Sequence, residues 1–243
     1  MAVIWGLDLR EIHWRKFKSS NMWNNTYHLR RTKFIVYQCA MILCVVSEAL
    51  GTAALDDYRK QQNLVSSLNP SAHLHNNSFI GATSYNIFAG VFVATIFGAA
   101  FFFDLFWPER HESRSVRLAW KVCAVLACCF ELAAALLMTV EVARHGVGVS
   151  GVSRAEGERL AALYKHGRAP LRYADNGRAV ASAVFAWPGW VATVASAIIL
   201  FLSQAHDDEF GSPLSSHARN EKAEPVEVAG SNEERGQGAY EGA

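Results

Sequence analysis

Charge is scarce in this sequence, and no cysteine stands where a disulfide would serve a loop. Asp, Glu, Lys and Arg make up 19% of the 243 residues, below the roughly 25% of an ordinary soluble domain. Their formal sum is +1, so whole-chain charge implies no polyanionic partner. The five cysteines, Cys39, Cys44, Cys123, Cys128 and Cys129, all fall inside apolar runs. An odd set of this kind is not a disulfide framework, and a small buried hydrophobe is the simpler role for each. Cys123, near a run's edge, is also a palmitoylation candidate. The nine histidines all lie outside the runs. His73-Leu74-His75 offers two imidazoles without a third ligand, whereas a closed metal site needs three or four. No metal, cofactor or catalytic cluster is therefore expected, and the chain reads as a non-enzyme. The first 33 residues lack an uninterrupted apolar core, so no cleavable signal peptide is expected.

What the sequence has instead is apolar length. Hydrophobic residues make up 51% of the chain, gathered into four blocks at 34–55, 85–107, 118–142 and 179–203. A hydrocarbon core of ~30 Å takes about 20 helical residues. Backbone polar groups in lipid must be satisfied within the segment, which leaves helices for runs this long. The second and fourth blocks are apolar all round, unlike the striped helices of a soluble bundle. The expected fold is all-α, a four-helix transmembrane bundle over 34–203 with the first block as an uncleaved signal anchor. A basic, aromatic segment (1–33) precedes it and a disordered acidic tail (204–243) follows.

Orientation follows from Lys and Arg in short flanks. Residues 1–33 carry seven bases against two acids, and residues 206–243 carry nine acids against three bases. The 56–84 loop has Arg59 and Lys60 offset by Asp56 and Asp57, and the 108–117 link has Arg110, Arg114 and Arg117. These counts put both termini inside. The 143–178 loop, with seven bases on the outer side, disagrees, and the first span is weighted above it. Asn76-Asn77-Ser78 is a glycosylation sequon in the first outer loop, which makes Asn76 a candidate acceptor.

Residues 1–33 interleave Trp5, Trp14, Phe17, Trp23 and Tyr27 with Arg15, Lys16, Lys18, Arg30, Arg31 and Lys33. Such a stretch beside a span suits an anionic lipid surface. Its helical periodicity is poor, so it is expected to lie in the interface rather than form a clean amphipathic helix. Nucleic-acid binding is the alternative for such a composition, and the neighbouring span disfavours it. The first helix is expected to continue to about Leu68, where Asn69-Pro70 stops it. Pro108 ends the second span and Ser115 is a candidate N-cap for the third. In the second outer loop, Ser153-Arg154-Ala155-Glu156 reads as a capping box, and Gly167 followed by Pro170 as the stop. The tail cannot bury enough apolar surface to fold alone. It is expected to be solvated, to fold back on the basic segment, or to bind a protein partner.

The sharpest chemistry lies inside the spans. Glu48 is 14 residues past Phe34 and Glu131 is 13 past Leu118. Both carboxyls therefore sit about 20 Å from the inner edge. An acid at a span centre costs ~2.5–3.5 kcal/mol, so both are expected to face the bundle interior. At that depth the antiparallel spans offer Thr95, Trp187 and Trp190 as donors. Pro188 should free the Val184 carbonyl and kink the fourth span. The expected cluster is Glu48, Glu131, Thr95, Trp187 and Trp190, with two close carboxyls sharing a proton or staying neutral. Such a cluster serves as hydrogen-bond glue between helices or as a proton or ligand relay. Glue is favoured, because no internal repeat accompanies the cluster. Asp104 and Glu141, near span ends, are expected to be solvated. Gly90, Ala94 and Gly98 form a small-residue stripe on span two, and Ala127 and Ala135 share the Glu131 face of span three. Both are expected to pack helices within one chain. A homo-oligomer through the Gly90 stripe is the alternative.

The charged N-terminus, two outer loops, short basic link and acidic tail around residues 34–203 resemble small fungal four-span membrane proteins of the MARVEL and eisosome types. The outer-loop cysteine patterns of claudin-like proteins and true tetraspanins are absent. The resemblance implies a plasma-membrane organiser or adaptor whose partners are the lipid bilayer and proteins that contact the two tails. A transporter, or its accessory subunit using Glu48 and Glu131, is the alternative.

Overall fold

The structure, a computed structural model, describes residues 3–4, 7–164 and 169–220. Four long helices carry it: α1 (Arg30–Leu68), α2 (Asn77–Phe106), α3 (Arg114–Arg144) and, after a short helix α4 (Arg154–Ala162), α5 (Gly177–Phe210). All four are long and apolar enough to cross a membrane. Large apolar side chains such as Ile42, Phe88, Val91, Val122, Val184 and Val191 are exposed on them. In water such surfaces would be an association hazard, and in a bilayer they are the lipid face. The chain is an all-α, four-helix integral membrane protein.

Each helix outruns its apolar block because its ends are stopped by local chemistry. α1 begins after Leu29, a non-glycine residue at φ 54, and ends at Leu68. There the Asn69 side chain takes the Ser71 amide at 3.0 Å and Pro70 forbids another turn. α3 starts at Arg114, so Ser115 lies within its first turn and is not the cap. Ser153 does cap α4, accepting the Glu156 amide at 3.3 Å. That helix ends at Ala162, and the expected stop at Gly167 lies outside the described residues. α5 has a cap the sequence reading missed. The Asn176 side chain accepts from the Arg178 and Ala179 amides at 3.0 and 3.3 Å. The helix carries Pro188 inside it, runs past Ser203 to Phe210 and ends at Gly211, at φ 64. The described part of the tail, to residue 220, is therefore not all coil. The acid-rich remainder lies outside the described residues.

The chain divides into two compact units. The larger comprises residues 35–100 and 114–198. At one end of it an aromatic knot joins three segments: Tyr58, Phe79 and Tyr173, with ring centroids 4.7–5.4 Å apart. The two long loops are stitched together there. β1 (His73–His75) pairs antiparallel with β2 (Gly148–Ser150), Leu74 opposite Val149. Gln61 of α1 donates to the Ala169 and Ala161 carbonyls at 2.7 and 3.3 Å, and Arg178 grips buried Asp57 at 2.6 Å. The second loop's bases that looked out of place are partly spent on such contacts, Arg154 on Glu158 and Arg159 on Glu156.

The described residues of the smaller unit fall within 3–34, 101–113 and 199–220. Its described N-terminal segment forms 3-10 turns at Leu9–Glu11 and Trp14–Phe17 and a single α-turn at Ser19–Met22, with no long amphipathic helix. Residues 25–28 pair with 213–215. His28 donates to the Pro213 carbonyl and Ser215 to that of Thr26, each at 2.9 Å.

Candidate functional site

The strongest candidate lies inside the larger unit, where two carboxyls enter the apolar interior. Glu131 sits on the α3 face that also carries Ala124, Ala127, Ala135 and Met138, all fully buried. Glu131 itself is 1% exposed. It fits there because α5 carries Gly189 at that level. A methyl on residue 189 would stand 3.4 Å from the Glu131 carboxyl and 3.3 Å from the Cys44 sulfur. Glu48, half-buried on α1, lies over Gly90 of α2. Any side chain at position 90 would collide with its carboxyl. The two acids are close enough to interact electrostatically. The Glu131 carboxyl has the weak donor of the Cys44 thiol beside it and no nitrogen or oxygen donor among the described residues, and the buried Glu48 oxygen has no partner among them.

The expected donors go elsewhere. Thr95 is exposed and bonds its own helix, to the Val91 carbonyl at 2.8 Å. Trp187 donates to Thr139 of α3 at 3.0 Å and meets Trp190 edge-on at 6.1 Å. The reason is helical phase. At 100° per residue, Thr95 is turned about 140° from Gly90, and Trp187 about 160° from Gly189. Depth was matched but direction was not, so Thr95, Trp187 and Trp190 do not complete the cluster. The residues around the carboxyls are Gly90, Gly189 and Cys44, with Thr193 bonded to the Gly189 carbonyl at 2.9 Å. Two residues of the small stripe lie against α1. Gly90 lies under Glu48 and Gly98 under Met41 of α1, while Ala94 is half-buried beside them.

One turn along the bundle is a network the sequence reading missed. Ser47 donates to the Ser182 carbonyl at 2.9 Å, and Ser182 donates back to that of Ser47 at 2.8 Å. Asn86 of α2 donates to the Ser47 hydroxyl at 3.1 Å. All three residues are buried. Gly51 permits the approach, since a methyl there would lie 2.9 Å from the Ser182 hydroxyl. The hydrogen-bond glue expected of the carboxyls is made by these residues, joining α1, α2 and α5. Cooperative bonds of this kind fix helix register.

Other expected residues are placed differently. Asn76 is 2% exposed and stands just before α2, its carbonyl accepting from Ile80. A glycan on its amide has no room in this fold. Glu141 is buried and pairs with His145 at 2.9 Å. His73 and His75 are exposed on β1, His75 meeting the Ser150 hydroxyl at 2.6 Å.

In the smaller unit Asp104 is not solvated. It is held by Lys33 at 2.9 Å and Arg110 at 3.0 Å, and Arg110 also grips Glu112 at 2.5 Å. Trp107 donates to the Asp8 carbonyl at 2.9 Å. Charge-assisted bonds, the strong class of hydrogen bond, thereby join Lys33 to the end of α2 and its link, and a neutral bond adds Asp8. Beside them His28 and His206 stack 3.8 Å apart, nearly parallel. Burial first, and then His206, hold the His28 imidazole below its ordinary value. Lys33 and Arg219 act the same way and Asp207 opposes them. A folded state that takes the proton less readily than the unfolded one is at full strength above about pH 6.5 and loses stability as pH falls. Hydrogen exchange at the His28 and Ser215 amides is therefore expected to speed up, relative to the intrinsic rate, between about pH 7 and about pH 5. His206→Gln should flatten that dependence, and an unchanged profile would refute it.

Compared with known proteins, the chain matches no family model, no curated sequence and no solved structure.

Proposed function

We propose that this integral membrane protein is a non-enzymatic organiser or adaptor of the plasma membrane, with both termini in the cytoplasm. The supporting observation is the smaller unit, in which Lys33, Asp104 and Arg110 tie the start of α1 to the end of α2 and its link, and the His28–His206 stack ties the N-terminal segment to the end of α5. A folded platform of this kind presents a fixed surface to lipid and to protein partners of the two tails. The excess of bases in residues 1–33 and in the link supports a cytoplasmic placement. The outline shared with fungal four-span organisers supports the same role.

The test is live imaging of a C-terminally tagged chain at native expression. Slowly recovering cortical patches after photobleaching are the expected result. Uniform diffusing signal, or retention in an internal organelle, would overturn the proposal. The second reading is a transporter or accessory subunit, favoured by one observation: Glu131 is an acid buried inside a span, and buried intramembrane acids mark ion and proton pathways. Glu48→Gln and Glu131→Gln keep shape but cannot ionise. Proton or solute flux in liposomes that these substitutions abolish would favour that reading over the first.

A further inference from the structure

We propose that the small cavity between His28, Arg30 and Ser203 in the smaller unit binds a monatomic anion of chloride size. Arg30 is the first residue of α1 and is 6% exposed. A guanidinium carries a fixed charge and several N–H donors. No carbonyl or carboxylate among the described residues accepts from this one, and its buried Nε has no partner. Its contacts are with rings: the Cζ atom lies 5.0 Å from the Tyr27 centroid and 5.2 Å from that of Phe34. Ring faces attract the charge, but they do not take up the N–H edges. Asp104 is within electrostatic reach, yet its two oxygens are held by Lys33 at 2.9 Å and Arg110 at 3.0 Å. Asp207 stands 3.7 Å from His206, and Glu109 takes the Tyr27 hydroxyl at 3.2 Å. A buried cation without its own counter-charge is costly, so the arrangement calls for an anion.

The size of the cavity identifies the class of anion. Its volume is about 20 Å³, and His28, Arg30, Lys33, Asp104 and Ser203 form its polar wall. That is room for about one water-sized particle, too little for a phosphate or a lipid headgroup. The Ser203 hydroxyl, on buried α5 backbone, is a further donor, and the Lys33 ammonium has N–H groups beyond the one given to Asp104. The wall thus carries two fixed cations against one carboxylate that is already doubly paired. The start of a helix adds its own partial positive charge. The same charges exclude a metal cation, and a water would accept an N–H without compensating the guanidinium. An ion here touches the approach to α1 and the last span together, which ties the N-terminal segment to α5. The assignment does not depend on the organiser role.

The test is the chloride dependence of the full chain in mixed micelles, with gluconate as the replacing anion at constant ionic strength. The chlorine NMR line should broaden in proportion to added protein, beyond what empty micelles give, and bromide should compete the broadening away. The unfolding temperature should rise by about 3–6 °C between chloride-free buffer and about 150 mM chloride, for a dissociation constant of about 10 mM. Arg30→Gln should abolish both effects, and Arg30→Lys should keep part of each. Ser203→Ala should weaken chloride binding about fivefold, the worth of one hydrogen bond, and it decides the matter if Arg30→Gln does not fold. No broadening by the wild-type chain would overturn the proposal. Broadening that Arg30→Gln, or Ser203→Ala in its place, leaves unchanged would put the ion elsewhere and overturn it too. So would gluconate stabilising the chain as well as chloride does, since only an ionic-strength effect would then remain.

Discussion

Gly151→Ala is expected to unzip the pairing of the two long loops while leaving the bundle folded. Gly151 follows β2 at φ 80, where a residue with a Cβ loses about 1–2 kcal/mol. The added methyl would also run into the Ser71 carbonyl. That oxygen belongs to backbone, so it cannot rotate away as a side chain would. Either the 69–72 turn shifts or β1 leaves β2, and both expose Leu74, which is 2% exposed in the intact pair. With the φ cost and the displacement together, a loss of about 3 kcal/mol is expected, confined to the cap. Hydrogen exchange reads it directly. Amides of 73–75 and 148–150 should exchange faster by about two orders of magnitude, while those in the middle of α2 and α3 stay protected. Gly177→Ala, where a methyl meets nothing within 4 Å, is the control. Unchanged exchange in the β1–β2 pair would show that Ser71 yields at little cost.

That cap was illegible in the sequence for a physical reason. Two three-residue strands more than seventy positions apart have too few residues to show a period, and their pairing is decided by Val65, Ala72, Leu74 and Ala161 closing under them. The spans were legible because an apolar run of bilayer length has few alternatives. The stop at Asn69-Pro70 and the Ser153 cap were legible because their chemistry is local. Depth along a helix could also be counted, and Glu48 and Glu131 lie close enough to interact. Rotation about the axis was harder, since the apolar blocks carry almost no stripe to set the phase. That is why Thr95, Trp187 and Trp190 were assigned to the wrong face. Ser47, Asn86 and Ser182 are single polar residues in apolar sequence, and what unites them is the approach over Gly51. Asp104 looked solvated because Lys33 comes from another segment and Arg110 turns back on it from beyond the end of α2.

Glu131→Met is expected to stabilise the bundle. A buried polar group without an adequate hydrogen bond costs about 1–3 kcal/mol in proteins, and the Glu131 carboxyl has only the weak Cys44 thiol beside it. Methionine has a similar length and reach, is flexible at the tip, and adapts to the space bounded by Gly189 and Cys44. Replacing buried ionisable groups by apolar ones of like volume has been neutral to stabilising by about 1–4 kcal/mol. Reversible unfolding of the full chain in mixed micelles should therefore show a gain of roughly 1–3 kcal/mol, with Glu131→Gln smaller, because its amide keeps an unmet polar demand. A loss of stability in Glu131→Met would mean that the carboxyl has a bound partner, and the relay reading would then gain ground. A gain in stability, with patches intact in cells, would mean that the organiser role does not depend on the acid. A gain in stability with patches lost would mean that the burial cost is borne for function, as strained polar groups at working sites often are. The two readouts together therefore separate a functional acid from one that is merely tolerated, which stability alone cannot do.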